Sequence, residues 1–215
     1  MLLGHKVYAL TLMREGSQRL PQKHFLDINF KPLCHYAIDA AKSCPNIDCV
    51  YVSTSSKEYT RLLSGYVDVL PRDPVYDADD LHTLTILKHV AKQIDARRDD
   101  IIMYFDCTMP MTKRFYFSEV LMTMEINDLH SCFTVKRLRY ALVGDPPTSS
   151  QKRPPRYMIF GAVRAWKYHA LLNADENTWG ESSIHCDIPI VNDNDIDVNN
   201  MADFVTAEAL IKARF

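Results

Sequence analysis

Short β-branched or apolar runs alternate along this chain with stretches whose apolar residues recur at helical spacing. That rhythm marks successive βαβ units: a short run fits a strand buried on both faces, and an amphipathic stretch fits a covering helix. Strands are predicted at residues 7–13, 48–54, 67–70, 101–105, 131–136 and 157–165. Helices are predicted at 32–43, near 56–63, at 81–96, near 115–127 and at 202–213. The first helix puts Leu33, Tyr36, Ala37, Ala40 and Ala41 on one face, and the third turns Leu84, Leu87, Val90, Ala91 and Ile94 inward. The expected fold is α/β, a doubly wound and mostly parallel Rossmann-like sheet, in one domain over residues 1–215. Residues 144–156, GDPPTSSQKRPPR, interrupt the rhythm, and their prolines and basic clusters argue for an exposed excursion at about residues 138–160.

Hydrophobic residues make up 47% of the chain, ample for a continuous core. A formal charge of −2 gives no global field toward nucleic acid or membrane, so an anionic substrate requires a local basic site. The six cysteines form no CxxC pair and no cluster with histidine, and are expected as reduced, mostly buried thiols of a cytoplasmic protein. The opening MLLGHKVYALTLM lacks a following cleavage site and is too short to span a bilayer; it is expected to lead into the first strand.

The most informative segment is REGSQRLPQK, residues 14–23, directly after the first strand. In open α/β sheets ligands bind outside the carboxyl ends of strands, near a topological switch. Arg14, Arg19 and Lys23 would bring three cations to that crevice, beside Gly16 and Ser17. A loop of this kind offers backbone N–H groups to an anion, Arg grips phosphate through paired hydrogen bonds, and Lys adds a compact charge. The same residues also suit a solvated basic surface loop. GxxxxGK[ST] and GxGxxG are absent, which removes support for P-loop hydrolysis and dinucleotide-linked hydride transfer. No HExxH or GxSxG occurs, so zinc and a serine nucleophile are unsupported.

REGSQRLPQK followed by KPL at residues 31–33 resembles the R-x-G-S-x-R-L-P-x-K-N…G-K-P-L signature of the acylneuraminate cytidylyltransferase family. That family includes synthetases of CMP-activated sialic, pseudaminic, legionaminic and 3-deoxy-octulosonic acids. Fainter likenesses follow in the family's order. YVSTSS, residues 51–56, resembles the V-V-S-T-D strand, with Ser55 where an acid is common. Arg72-Asp73-Pro74 and DADDLHT, residues 77–83, resemble the R-P…S-D-T-A-S segment. The resemblance implies nucleotide contacts from Arg14, Gly16, Ser17, Arg19, Lys23, His24, Arg72, Asp80 and Thr83, with His24 standing where the family places Asn against cytosine. Asp79 or Asp80 can equally cap a helix beginning near Leu81.

FDCTMP, residues 105–110, occupies the place of L-Q-P-T-S-P, with Asp106 for Gln and Cys107 for Pro. RYMIFGAVRAW, residues 156–166, resembles R-x-N-G-A-I-Y-I, with Phe160 for Asn. Asp106, Thr108, Arg156, Phe160 and Gly161 are thereby implied on the acceptor side, and Lys152, Arg153 and Arg156 as partners of a sugar carboxylate. Asp106 could instead join a metal site or cap the following turn. Asn194-Asp195-Ile196-Asp197 resembles S-I-D-I-D; on a strand Asp195 and Asp197 would converge and suit Mg²⁺, whereas a solvated acidic loop is the plain alternative. The resemblance implies transfer of CMP from CTP to an acidic 2-keto-3-deoxy sugar with release of pyrophosphate, catalysed through Arg14, Lys23 and Asp197, in a homodimer. Another nucleotide or acceptor, or a non-catalytic nucleotide-binding homologue, are the alternatives.

Overall fold

The computed structural model describes residues 4–138, 156–175, 190–191 and 196–213. Strands β1 (Val7–Leu12), β4 (Cys49–Thr54), β5 (Asp68–Pro71), β6 (Ile101–Phe105), β7 (Ser131–Leu138), β8 (Arg156–Lys167) and β9 (Ile190–Val191) form one sheet in the order β5-β4-β1-β6-β8-β7-β9. A hairpin of β2 (Asp27–Ile28) and β3 (Lys31–Pro32) stands apart from it. β8 alone runs antiparallel to its neighbours; β5, β4, β1 and β6 are mutually parallel, and β7 pairs parallel with β9. The doubly wound, mostly parallel sheet is therefore present, and its order reverses direction at β1/β6.

Helices cover both faces: α1 (Leu33–Lys42), α2 (Lys57–Leu63) and α4 (Arg114–Ile126) on one side, α3 (Thr83–Ala91) and α5 (Tyr168–Asn173) on the other. The alternation of β1 explains this division. Val7 and Ala9 pack with Ala37, Ile38, Leu63 and Val120, whereas Tyr8 and Leu10 pack with Leu84, Leu87, Val90 and Leu171. A third cluster joins Ile28 of the hairpin, Leu33 and Met111 to Val198, and to Ala207 and Ile211 of α6 (Met201–Lys212). This cluster seats the C-terminal helix against the loop that follows β1, and so brings residues 196–200 beside residues 14–24.

Most predicted elements lie within two residues of those observed, with two instructive exceptions. The segment predicted at 81–96 is helical only over Thr83–Ala91; it then tightens through Gln93 N–H to Val90 O at 2.9 Å and Ile94 N–H to Ala91 O at 3.1 Å. Its cap is His82, whose Nδ1 accepts from Leu84 N–H at 3.3 Å, and not Asp79 or Asp80. Asp79 is drawn away to the loop after β1. The second exception is the 196–199 stretch, which belongs to no strand, so Asp197 is carried on a loop. Most of the predicted excursion, residues 139–155, lies outside the described residues, as do Asp195, Lys152 and Arg153. Among the described residues no disulfide forms, and no helix is long and apolar enough to cross a membrane.

Candidate active site

A cleft of about 580 Å³ opens at the carboxyl ends of β1 and β6, where the strand order reverses. Three walls bound it. The loop after β1 contributes Arg14, Ser17, Gln18, Arg19, Lys23 and His24. The segment after β5 contributes Arg72, Tyr76, Asp79 and Thr83, and the far wall holds Tyr104, Asp106, Thr108, Asp197 and Asn199. Gly16 and Asp80 do not line it. Gly16 is exposed, and a Cβ there would meet nothing within 4 Å, so the protein's own packing does not demand glycine.

The cations of the first wall are held by neutral or exposed partners. Lys23 Nζ donates to the carbonyl of Val198 at 3.2 Å, and Arg19 Nη2 to Asn199 Oδ1 at 3.4 Å. Arg14 pairs with the Asp79 carboxylate and donates to Asp77 O at 3.2 Å; Gln18 Nε2 also reaches Asp79, at 3.2 Å. Asp79 thus sits against this loop from the opposite wall. His24 is only 4% exposed, and its Nδ1 has no hydrogen-bond partner among the described residues. Burial, reinforced by Lys23 and Arg14, pushes its imidazole down to about 3, which keeps the ring neutral.

Arg72 lines the cleft and is held there by the protein's own groups. Nε donates to Asp77 Oδ1 at 3.1 Å, Nη1 to Ser53 O at 3.2 Å and Nη2 to Met13 O at 3.1 Å, with Nη2 also meeting Asp77. Four of the five guanidinium N–H groups are therefore engaged inside the protein. The side chain is a buried strut tying the ends of β1 and β4 to the turn Pro74–Asp77. Ser55 donates to the same Asp77.

The far wall is built around one hydroxyl. Thr108 Oγ1 lies 2.7 Å from Asp106 Oδ1 and 2.6 Å from Asp197 Oδ1, while Thr108 N–H donates to Asp106 Oδ1 at 3.1 Å. Val198 N–H donates to Thr108 O at 3.0 Å, which docks the Asp197 segment on the loop after β6. One hydroxyl hydrogen cannot serve two carboxylates at once. Burial, and then the charge of Asp197, raise the Asp106 carboxyl above its ordinary range against the opposing hydrogen bonds from Thr108. Asp106 N–H donates to Ala162 O at 3.3 Å, so the Gly161–Ala162 backbone of β8 runs beside this pair. Arg156 and Phe160 lie further along the same strand, on the side where β8 pairs with β7.

The sequence profile of the cytidylyltransferase family matches residues 8–174. The chain belongs to the cytidylyltransferase family. It is similar to 3-deoxy-manno-octulosonate cytidylyltransferase 2 of Hydrogenovibrio crunogenus, 25% identical over 68% of this chain and 58% of that protein. It is also similar to the pseudaminic acid cytidylyltransferase and UDP-2,4-diacetamido-2,4,6-trideoxy-beta-L-altropyranose hydrolase of Helicobacter pylori, 29% identical over 45% of this chain and 19% of that protein. The chain thus spans less than two thirds of the length of either curated relative. Its fold matches a solved CMP:2-keto-3-deoxy-manno-octonic acid synthetase complexed with CTP, with a TM-score of 0.76 at 17% identity, over 98% of this chain and 100% of that one.

Within this cytidylyltransferase-family fold the structure gathers Arg14, Ser17, Arg19, Lys23, His24, Arg72, Thr83, Asp106, Thr108 and Asp197 around one cleft. It adds Gln18, Tyr76, Asp79, Tyr104 and Asn199, which sequence reasoning did not single out as site residues. Gln18 lies within REGSQRLPQK and Asp79 within DADDLHT, and Asn199 stands two residues after Asp197 in an Asn/Asp-rich run.

Proposed function

We propose that this chain transfers CMP from CTP to the anomeric hydroxyl of an acidic 2-keto-3-deoxy sugar, of the sialic, pseudaminic, legionaminic or octulosonic type, releasing pyrophosphate. The observation that carries this reading is the opposition, across one cleft at the sheet's switch point, of a cationic loop to two carboxylates joined by a hydroxyl. Family membership and the names of the relatives support the nucleotide and the class of acceptor.

Arg14, Arg19 and Lys23 would hold the triphosphate and offset the charge of the departing pyrophosphate. Their present partners are a carboxylate, an amide and a carbonyl that phosphate oxygens can replace. Ser17 and Thr83 line the same space and can donate to the nucleotide. His24, buried and neutral with an orphan Nδ1, is suited to a base edge and not to a phosphate. Such transfer depends on positioning and charge neutralisation more than on covalent participation by the protein.

The far wall fits Mg²⁺: oxygen donors only, two carboxylates converging on one point, and cleft volume for the waters this ion retains. We assign Asp106 and Asp197 as its ligands among the described residues; Asp195, implied with Asp197 by the family resemblance, lies outside them. When bound, the ion supplies Lewis-acid polarisation of the α-phosphate. The acceptor would sit against this wall, beside Asp106, Thr108 and the neighbouring β8 backbone, with Arg156, Phe160 and Gly161 further along β8. A homodimer completes the reading.

The test is pyrophosphate release with Mg²⁺, measured for CTP, UTP, ATP and GTP against a panel of acidic sugars. Release with CTP and one such sugar is expected. Silence with CTP still bound would remove this acceptor class, and absence of CTP binding would remove the cytidylyl reading.

A further inference from the structure

We infer that Asn199 is a positioning residue that links the cationic loop to the carboxylate pair and fixes the plane of the Asp197 carboxylate for a divalent cation; this rests on the metal reading above. Asn199 Nδ2 donates to Asp197 Oδ2 at 2.6 Å, while Thr108 Oγ1 meets Oδ1 of the same carboxylate at 2.6 Å. Both oxygens are held by neutral groups from different segments, so turning the carboxylate about its Cβ–Cγ bond breaks both contacts. Each oxygen keeps lone-pair capacity for a cation.

The other end of the amide faces the opposite wall. Asn199 Oδ1 lies 3.4 Å from Arg19 Nη2. The amide orientation is dictated by these neighbours: reversed, it would set oxygen against carboxylate and NH₂ against guanidinium. The backbone of Asn199 is fixed as well. Its N–H donates to Asp203 Oδ2 at 2.9 Å, and Asp203 forms a reciprocal capping box with Asn200 at the start of α6. The side chain therefore reaches out from an anchored helix terminus and bridges Arg19 to Asp197.

A neutral amide suits this place for an electrostatic reason. It orients Asp197 without neutralising it, as a lysine would, and without competing for Arg19, as a carboxylate would. Partners that hold a metal ligand through its far atoms commonly change metal affinity by about 10- to 100-fold. Asn199 is not a ligand in this scheme and touches no reacting atom.

The experiment is Mn²⁺ binding to the full chain, read as loss of the free-ion electron paramagnetic signal, for wild type, Asn199→Ala, Asn199→Ser and Asp197→Asn. Asn199→Ala is expected to weaken Mn²⁺ by about 10- to 100-fold, with melting temperature close to wild type. Asn199→Ser, which keeps a short donor, should lose less. Wild-type Mn²⁺ affinity in both Asn199 variants, alongside loss in Asp197→Asn, would overturn the inference and leave the metal reading intact. Wild-type affinity in Asp197→Asn would overturn both. A melting temperature that falls together with Mn²⁺ affinity would mark a merely structural role and also overturn it.

Discussion

Arg14, Arg19 and Lys23 reach the cleft from one short loop, whereas Thr108 and Asp197 on the opposite wall are 89 residues apart in the chain. The first wall is an open set of cations, each with its own partner; Arg14 is 42% exposed and Asp79 60%. The second is a tight unit in which one hydroxyl lies between two acids and an amide steadies one of them. The contrast teaches a division of labour. Contacts of the first wall should act nearly independently and weaken binding stepwise, while the second wall should fail as a whole.

The sharpest way to break this comparison is at Asp197. Asp197→Asn should lower turnover by about a thousandfold, since several kcal/mol of charge stabilisation are removed, with melting temperature preserved and CTP binding within a few-fold. Unchanged pyrophosphate release would strip the second wall of its catalytic role.

His24 offers the next largest effect, on stability. Its folded-state value of about 3 lies below the ordinary 6.5, so its contribution is fully present above pH 6.5 and is lost as pH falls toward 3. At the acid end the loss is on the order of a few kcal/mol. His24→Asn should flatten the fall in unfolding free energy between those limits, as read by urea titrations at neutral and acid pH; an unaltered slope would show that the imbalance lies elsewhere.

Lys23→Ala should raise the CTP dissociation constant by about 10- to 100-fold, the worth of one charge-assisted hydrogen bond. Calorimetric affinity equal to wild type would count against the first wall as a phosphate site. Asp79→Asn should do the reverse and modestly. It removes an exposed rival anion from Arg14 and Gln18 and should tighten CTP by up to about fivefold at low salt. Weaker binding in that variant would make Asp79 a ligand contact instead of a competitor.

Legibility in the sequence followed how local each feature is. β6 was read at its observed limits because five consecutive buried residues, Ile101–Phe105, form an apolar run with no helical period. The β2–β3 hairpin went unread: its Asn29-Phe30 tip has positive φ at both residues, and phenylalanine gives no turn signal there. The start of α3 was misplaced because an aspartate before a helix usually caps it, and only the ion pair with Arg14 shows that Asp79 faces elsewhere. The contact of Asp106 with the Asp197 unit could not be read from spacing, since their meeting depends on α6 docking against the hairpin and the loop after β1.

The sequence by itself determined the alternation of strand and helix and the cationic loop at the first strand's end. Both rest on interactions between residues close in the chain, namely hydrophobic periodicity and the charges and turns of one short segment. Only the tertiary structure decided that Arg72 is a strut, that Asp106 and not just the Asp/Asn run stands at Asp197, and that Asn199 bridges the two walls. Those roles are set by which groups remain to pair once the sheet has closed its ladders and α6 has settled, and hydrogen bonds between distant segments leave no period in the sequence.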